Sequence, residues 1–110
     1  MDKPMNIERI IEQESANDGQ SVFLFYDVDE GCYKAYGWSA YYADMIANGV
    51  LYYSESLQMP IMVLNKQAIQ DLRYSMTVVE HRPHEFYRFK TKVKIGDAGY
   101  ERWKEVLELA

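Results

Sequence analysis

Five consecutive apolar residues, Val22-Phe23-Leu24-Phe25-Tyr26, constrain the fold more than any other stretch of the chain. In a strand successive side chains point to opposite sides, so this run places hydrophobic groups on both faces. Such a strand belongs in the interior of a sheet that is covered above and below. The turn-type residues Asp27-Val28-Asp29-Glu30-Gly31 end the run. Cys32-Tyr33-Lys34-Ala35-Tyr36 then reads as a second strand, paired with the first in a hairpin.

Cover for the sheet has to come from segments of helical period. Asn6 caps a short helix with Ile7, Ile10 and Ile11 on one stripe. Trp38, Tyr42, Met45 and Ile46 share a second helical face, and Gly49 stands where a left-handed C-cap is expected. Asn65 caps a third helix striped by Ile69, Leu72 and Met76; a fourth, capped by Asp97, carries Tyr100, Trp103, Leu107 and Ala110. Between them, Val50 to Tyr53, Pro60 to Leu64, Thr77 to Glu80 and Glu85 to Ile95 read as strands. The last two flank a turn at His81-Arg82-Pro83-His84. The order α-β-β-α-β-β-α-β-β-α predicts a single α/β domain over residues 1–110, a mixed sheet of five to six strands flanked by helices. At 110 residues, 48% of them apolar, the chain has room for one modest core.

The net charge of −5 is unevenly spread. Residues 1–60 hold ten acids against three bases, residues 61–110 seven acids against nine bases. This excludes a broadly basic nucleic-acid footprint and leaves room for a local one in the second half. Cys32 is alone and forms no intrachain disulfide. The N-terminus lacks a basic start followed by an apolar run, and no apolar stretch approaches the length of a membrane span. A cytoplasmic protein without membrane contact is expected.

Catalytic and metal chemistry find little to build on. Asp27, Asp29 and Glu30 offer hard oxygens to a divalent cation, but they lack the spacing of an EF-hand loop and read as a solvated turn. His81 and His84 fall short of the three or four ligands that zinc takes, with Cys32 the one thiol in reach. Nothing in the sequence supplies Cys32 with a base, so it reads as a small buried apolar residue. There is no Gly-rich phosphate loop, no G-x-S-x-G and no H-E-x-x-H. The expectation is a protein that is not an enzyme and uses neither metal nor cofactor.

Two surface patterns remain. Arg88, Lys90, Lys92 and Lys94 alternate with Phe89, Thr91, Val93 and Ile95, so a strand puts four cations on one face. That face is either a ladder for phosphates, with Phe86 or Tyr87 stacking nearby, or a solvated edge protected by its lysines. The second pattern is the tyrosine pairs Tyr41-Tyr42 and Tyr52-Tyr53. If Tyr42 faces the core, Tyr41 points about 100° away. Tyr41 and one of Tyr52 and Tyr53 are therefore expected at the surface, as a candidate protein interface.

Phe23-Leu24-Phe25-Tyr26, the turn to Gly31, Tyr33-Lys34-Ala35-Tyr36 and a helix with Ala40, Ala43 and Ile46 follow one another; Met59-Pro60-Ile61-Met62 then leads into the helix Asn65 to Met76. Over residues 22–80 this succession resembles the N-terminal, mismatch-recognition domain of the MutS family of DNA mismatch-repair proteins. The resemblance implies that domain's fold and a binding role. The family's base-probing phenylalanine, and the glutamate two positions after it, correspond to Cys32 and Lys34 or, shifted by one residue, to Tyr33 and Ala35, which keeps an aromatic but lacks the acid, so this motif is lost; Val63 stands where the family has a glycine. Lys34 at that place implies contact with a phosphate, its rival reading being a plain surface lysine. The expected function is a non-catalytic binding module that contacts a protein partner or a second copy of itself. The alternative is a nucleic-acid-binding accessory protein that uses the basic strand.

Overall fold

In the computed structural model, which describes residues 7–91, 96 and 98–109, each hydrophobic pattern becomes one element. The chain runs through α1 (Ile7–Ser15), β1 (Ser21–Asp27), β2 (Cys32–Tyr36), α2 (Trp38–Asp44) and β3 (Val50–Ser54). It continues through β4 (Met59–Leu64), α3 (Lys66–Ser75), β5 (Thr77–Arg82), β6 (Phe86–Lys90) and α4 (Tyr100–Leu109). The six strands form one sheet in the order β3-β4-β2-β1-β6-β5, and β1, which carries the apolar run, lies inside it with Val22 to Phe25 buried.

The α/β class and the six strands match expectation, but every pairing is antiparallel where a mixed sheet is predicted. The connections explain this. After β2 the chain crosses through α2 and skips one place to β3, and the hairpin return β4 fills the gap; β4, α3, β5 and β6 close the other edge in the same way. Strands joined through these helices run parallel yet are never neighbours.

Strand parity divides the side chains between two cores. Leu24, Met62, Leu64, Leu72 and Phe89 belong to the larger one, beneath α2, α3 and α4. On the opposite face Ile10 of α1 packs among Phe23, Phe25, Tyr36, Ile61 and Phe86. Ile11, on the same helix, is exposed. Asn65 caps α3 as expected, its Oδ1 accepting the Ala68 amide at 2.9 Å. The expected caps Asn6 and Asp97 lie outside the described residues.

Helix α2 departs from its reading at two points. It ends at Asp44, so Met45 falls off the core stripe and is exposed. Gly49 is not in the left-handed region. Its role is close approach: a Cβ there would sit 2.6 Å from the Val63 carbonyl oxygen. Gly49→Ala is therefore expected to destabilise the protein by about 1–3 kcal/mol through overpacking, read as a lowered denaturation midpoint. An unchanged midpoint would show that the contact yields freely.

The β5–β6 hairpin also differs from expectation. Strand β5 runs on to Arg82, placing His81 in the strand, and a register shift between Val78 and Glu80 turns Val79 outwards. The turn that follows holds His84 at φ +58, a region that few non-glycine residues enter.

Candidate functional site: a tyrosine and histidine groove

Lys34 is not a plain surface lysine, and its ammonium already has partners within the chain. It is 5% exposed, with Nζ 2.9 Å from Asp27 Oδ2, 3.3 Å from Glu30 Oε1 and 3.4 Å from the Tyr52 hydroxyl. Burial lowers an ammonium's pKa, but these acceptors outweigh it and hold Lys34 above the ordinary lysine value. Asp27 Oδ1 also accepts the amides of Asp29 and Glu30, so the acid-rich run is a turn folded around one buried cation.

The basic strand is only partly available. Arg88 is half-buried, its guanidinium 5.5 Å from the Phe23 ring centre. Lys90 pairs with Asp18 at 3.5 Å. Lys92 and Lys94 lie outside the described residues. Phe86, on the same face, is buried against Phe23 and Phe25.

The tyrosine patch is not assembled either. Tyr41 is not at the surface: α4 packs against it, and it is 8% exposed. Tyr100 stacks on Trp38 at 3.7 Å, while Trp103 meets Tyr41 edge-on at 5.2 Å and donates its indole N–H to Asp44 at 3.0 Å. Tyr52 is exposed, and its neighbour Tyr53 is half-buried on the other side of the strand.

What the fold does assemble is a groove of about 750 Å³ at the β1–β2 turn end of the sheet, on the face that carries α3. Lys66, Ile69, Gln70 and Arg73 form one wall, the i, i+3, i+4, i+7 stripe of a helix. Tyr26, Tyr33 and Tyr87 make the floor, and His81, Pro83 and His84 the opposite wall. Register sets the ring contacts. Tyr26 pairs across strands with Tyr33, their rings edge-to-face at 5.1 Å; His81 pairs with Tyr87, and its ring lies flat on the tyrosine at 3.9 Å and 5°. His84 meets Tyr26 edge-on at 5.1 Å.

The unusual backbone of His84 is held in place: its amide donates to the Tyr33 hydroxyl at 3.0 Å. Burial pushes the Tyr33 phenol up, so it keeps its proton and remains a donor. Among the described residues no aspartate or glutamate lines the groove, although the chain carries a net charge of −5. Lys66 and Arg73 are exposed on their wall, as are His81 and His84 on theirs. Cys32 sits at the rim, half-buried, with its thiol pKa raised by burial. Among the described residues, no three or more His, Cys, Asp or Glu side chains are grouped to hold a metal ion, and no helix is long and apolar enough to cross a membrane.

The sequence reading takes the two histidines as a turn and does not single out Lys66 or Arg73. The polar stripe of α3 is visible in the sequence. That α3 faces the β5–β6 turn across Tyr33 and Tyr87 depends on the strand order, which no local pattern encodes. Comparison with protein-family models, curated proteins and solved structures gives no match to this chain.

Proposed function

We propose that this chain is a non-catalytic, cytoplasmic binding module, resembling a stand-alone MutS N-terminal domain, whose partner presents anionic groups to the tyrosine and histidine groove. One observation carries the reading: an acidic chain concentrates Lys66, Arg73, His81 and His84 around a concave aromatic floor that, among the described residues, no carboxylate lines. Apolar concavities with a few convergent polar groups are the general form of binding sites, and like-charge exclusion favours an acidic partner. The leading partner is a protein carrying an acidic segment. Tyr52 is the residue left to support self-association, since Tyr41 is buried. The lost base probe agrees with a role other than mismatch reading, because Lys34 is buried and Cys32 half-buried.

The nucleic-acid alternative, which uses the basic strand, also draws support from the same groove. Arg88 and Lys90 are engaged, whereas Lys66 and Arg73 stand open. Fluorescence anisotropy separates the readings, with a labelled acidic peptide, matched duplex, mismatched duplex and single-stranded DNA at low and physiological salt. The peptide is expected to bind in a salt-sensitive way, and Lys66→Glu/Arg73→Glu to weaken it at least tenfold with the circular dichroism spectrum unchanged. Peptide binding indifferent to the reversal overturns the groove. A preference for DNA that the reversal abolishes installs the alternative.

A further inference from the structure

We infer that the groove accepts a nucleoside phosphate as a small ligand, the base against His81 and the phosphate against Lys66 and Arg73. The inference rests on the groove being a site for anions, and it adds a ligand class that charge alone does not specify. Three observations carry it.

First, His81 stacks one ring face on Tyr87 while the residue remains exposed, which leaves its outer face open to a second flat ring. Aromatic stacking of this kind holds bases whatever their hydrogen-bonding edge. Second, Lys66 and Arg73 are seven residues apart on one stripe, about 10 Å along the helix. Both cations therefore face the histidine wall across the tyrosine floor, with no competing carboxylate among the described lining residues. Third, the volume of about 750 Å³ lies within the range of roughly 300–1,000 Å³ typical of small-molecule sites.

An acidic side chain would use the cations and leave the open ring of His81 idle; an uncharged aromatic would do the reverse. A nucleoside phosphate uses both. The Tyr33 hydroxyl, which keeps its proton, and the Gln70 amide supply polar partners for the sugar or the base edge.

Isothermal titration calorimetry on the full chain tests this with AMP, UMP, adenosine and inorganic phosphate, beside the acidic peptide of the preceding section. AMP is expected to bind at least tenfold more tightly than either adenosine or phosphate. His81→Ala, at an exposed position, is expected to weaken AMP severalfold without affecting phosphate, and Arg73→Gln to weaken both. Circular dichroism confirms that the variants are folded. AMP no tighter than phosphate, or unaffected by His81→Ala, overturns the inference. If the peptide then still binds in an Arg73-dependent way, the groove reading survives alone; if no anion binds, both fall.

Discussion

Replacing Lys34 with methionine is expected to destabilise the protein by about 2–4 kcal/mol, although the new side chain is apolar and similar in length. Methionine leaves the Asp27 carboxylate, 13% exposed, without the cation that lies 2.9 Å from it. Removing one member of a buried pair usually costs about 3–5 kcal/mol because the other charge stays in a poor solvent. Two features reduce the figure here. Glu30, the second acceptor, is 60% exposed and can turn into water, and Asp27 keeps the amides of Asp29 and Glu30. Adding Asp27→Asn removes the orphaned charge and retains an acceptor for those amides. The double variant is expected to recover at least half of the loss, as a fitted urea denaturation series would show. Additive losses would mean that the pair is uncoupled. Lys34→Glu would place three carboxylates together and is expected not to fold, so a loss of nucleic-acid affinity in it would not identify a phosphate contact.

Lys34 also marks where the sequence stops being legible. Strand β2 was readable from its pattern, and so was the hairpin with β1, because both are local. Whether a lysine on that hairpin faces solvent depends on what lies across the sheet, and Tyr52 arrives there from a strand two places away. Tyr41 follows the same logic. Helical geometry separates its direction from that of Tyr42, but its burial is decided by α4, nearly sixty residues later, which lays Tyr100 and Trp103 over it. The capping of α3 by Asn65 was legible to the residue, since the bond spans three positions. The groove was not, because its walls come from α3 and the β5–β6 turn, and only the completed strand order brings them together.

A second large effect is expected from Glu14, as pH dependence. Glu14 is 3% exposed; Oε1 accepts the Ser39 amide of the first turn of α2 at 2.9 Å, and Oε2 accepts the Ser39 hydroxyl at 2.6 Å. The same hydroxyl oxygen accepts the Phe23 amide at 2.9 Å. Strand β2 pairs with β1 only from Phe25 to Asp27, so Ser39 serves an amide that the ladder leaves open. Gly37, at φ +56, turns the chain so that Glu14 reaches this point, its Cβ position only 3.6 Å from the carboxylate's own side chain.

Burial pushes the Glu14 carboxyl up from 4.5 to about 7, against the hydrogen bonds from Ser39 and Asn17 that favour its charged form. A group raised on folding contributes stability in full below its unfolded value and loses it as pH rises through the folded one. The gap between 4.5 and about 7, at about 1.4 kcal/mol per pH unit, makes ~3 kcal/mol lost between pH 4.5 and 8. Asp27 works in the opposite sense. Burial opposes its ionisation, but Lys34 and the turn amides hold it below the usual 3.8, so its contribution disappears as pH falls through that lowered value. Stability is therefore expected to peak at about pH 4–5. Glu14→Gln keeps an acceptor for the Ser39 amide and removes the titration, so it should flatten the alkaline limb and leave the acid limb intact. Glu14→Ala strands the amide and the hydroxyl and should lose stability at every pH. Denaturation midpoints from pH 4 to 9 decide the matter: an alkaline limb as steep in Glu14→Gln as in the parent would place the titrating group elsewhere.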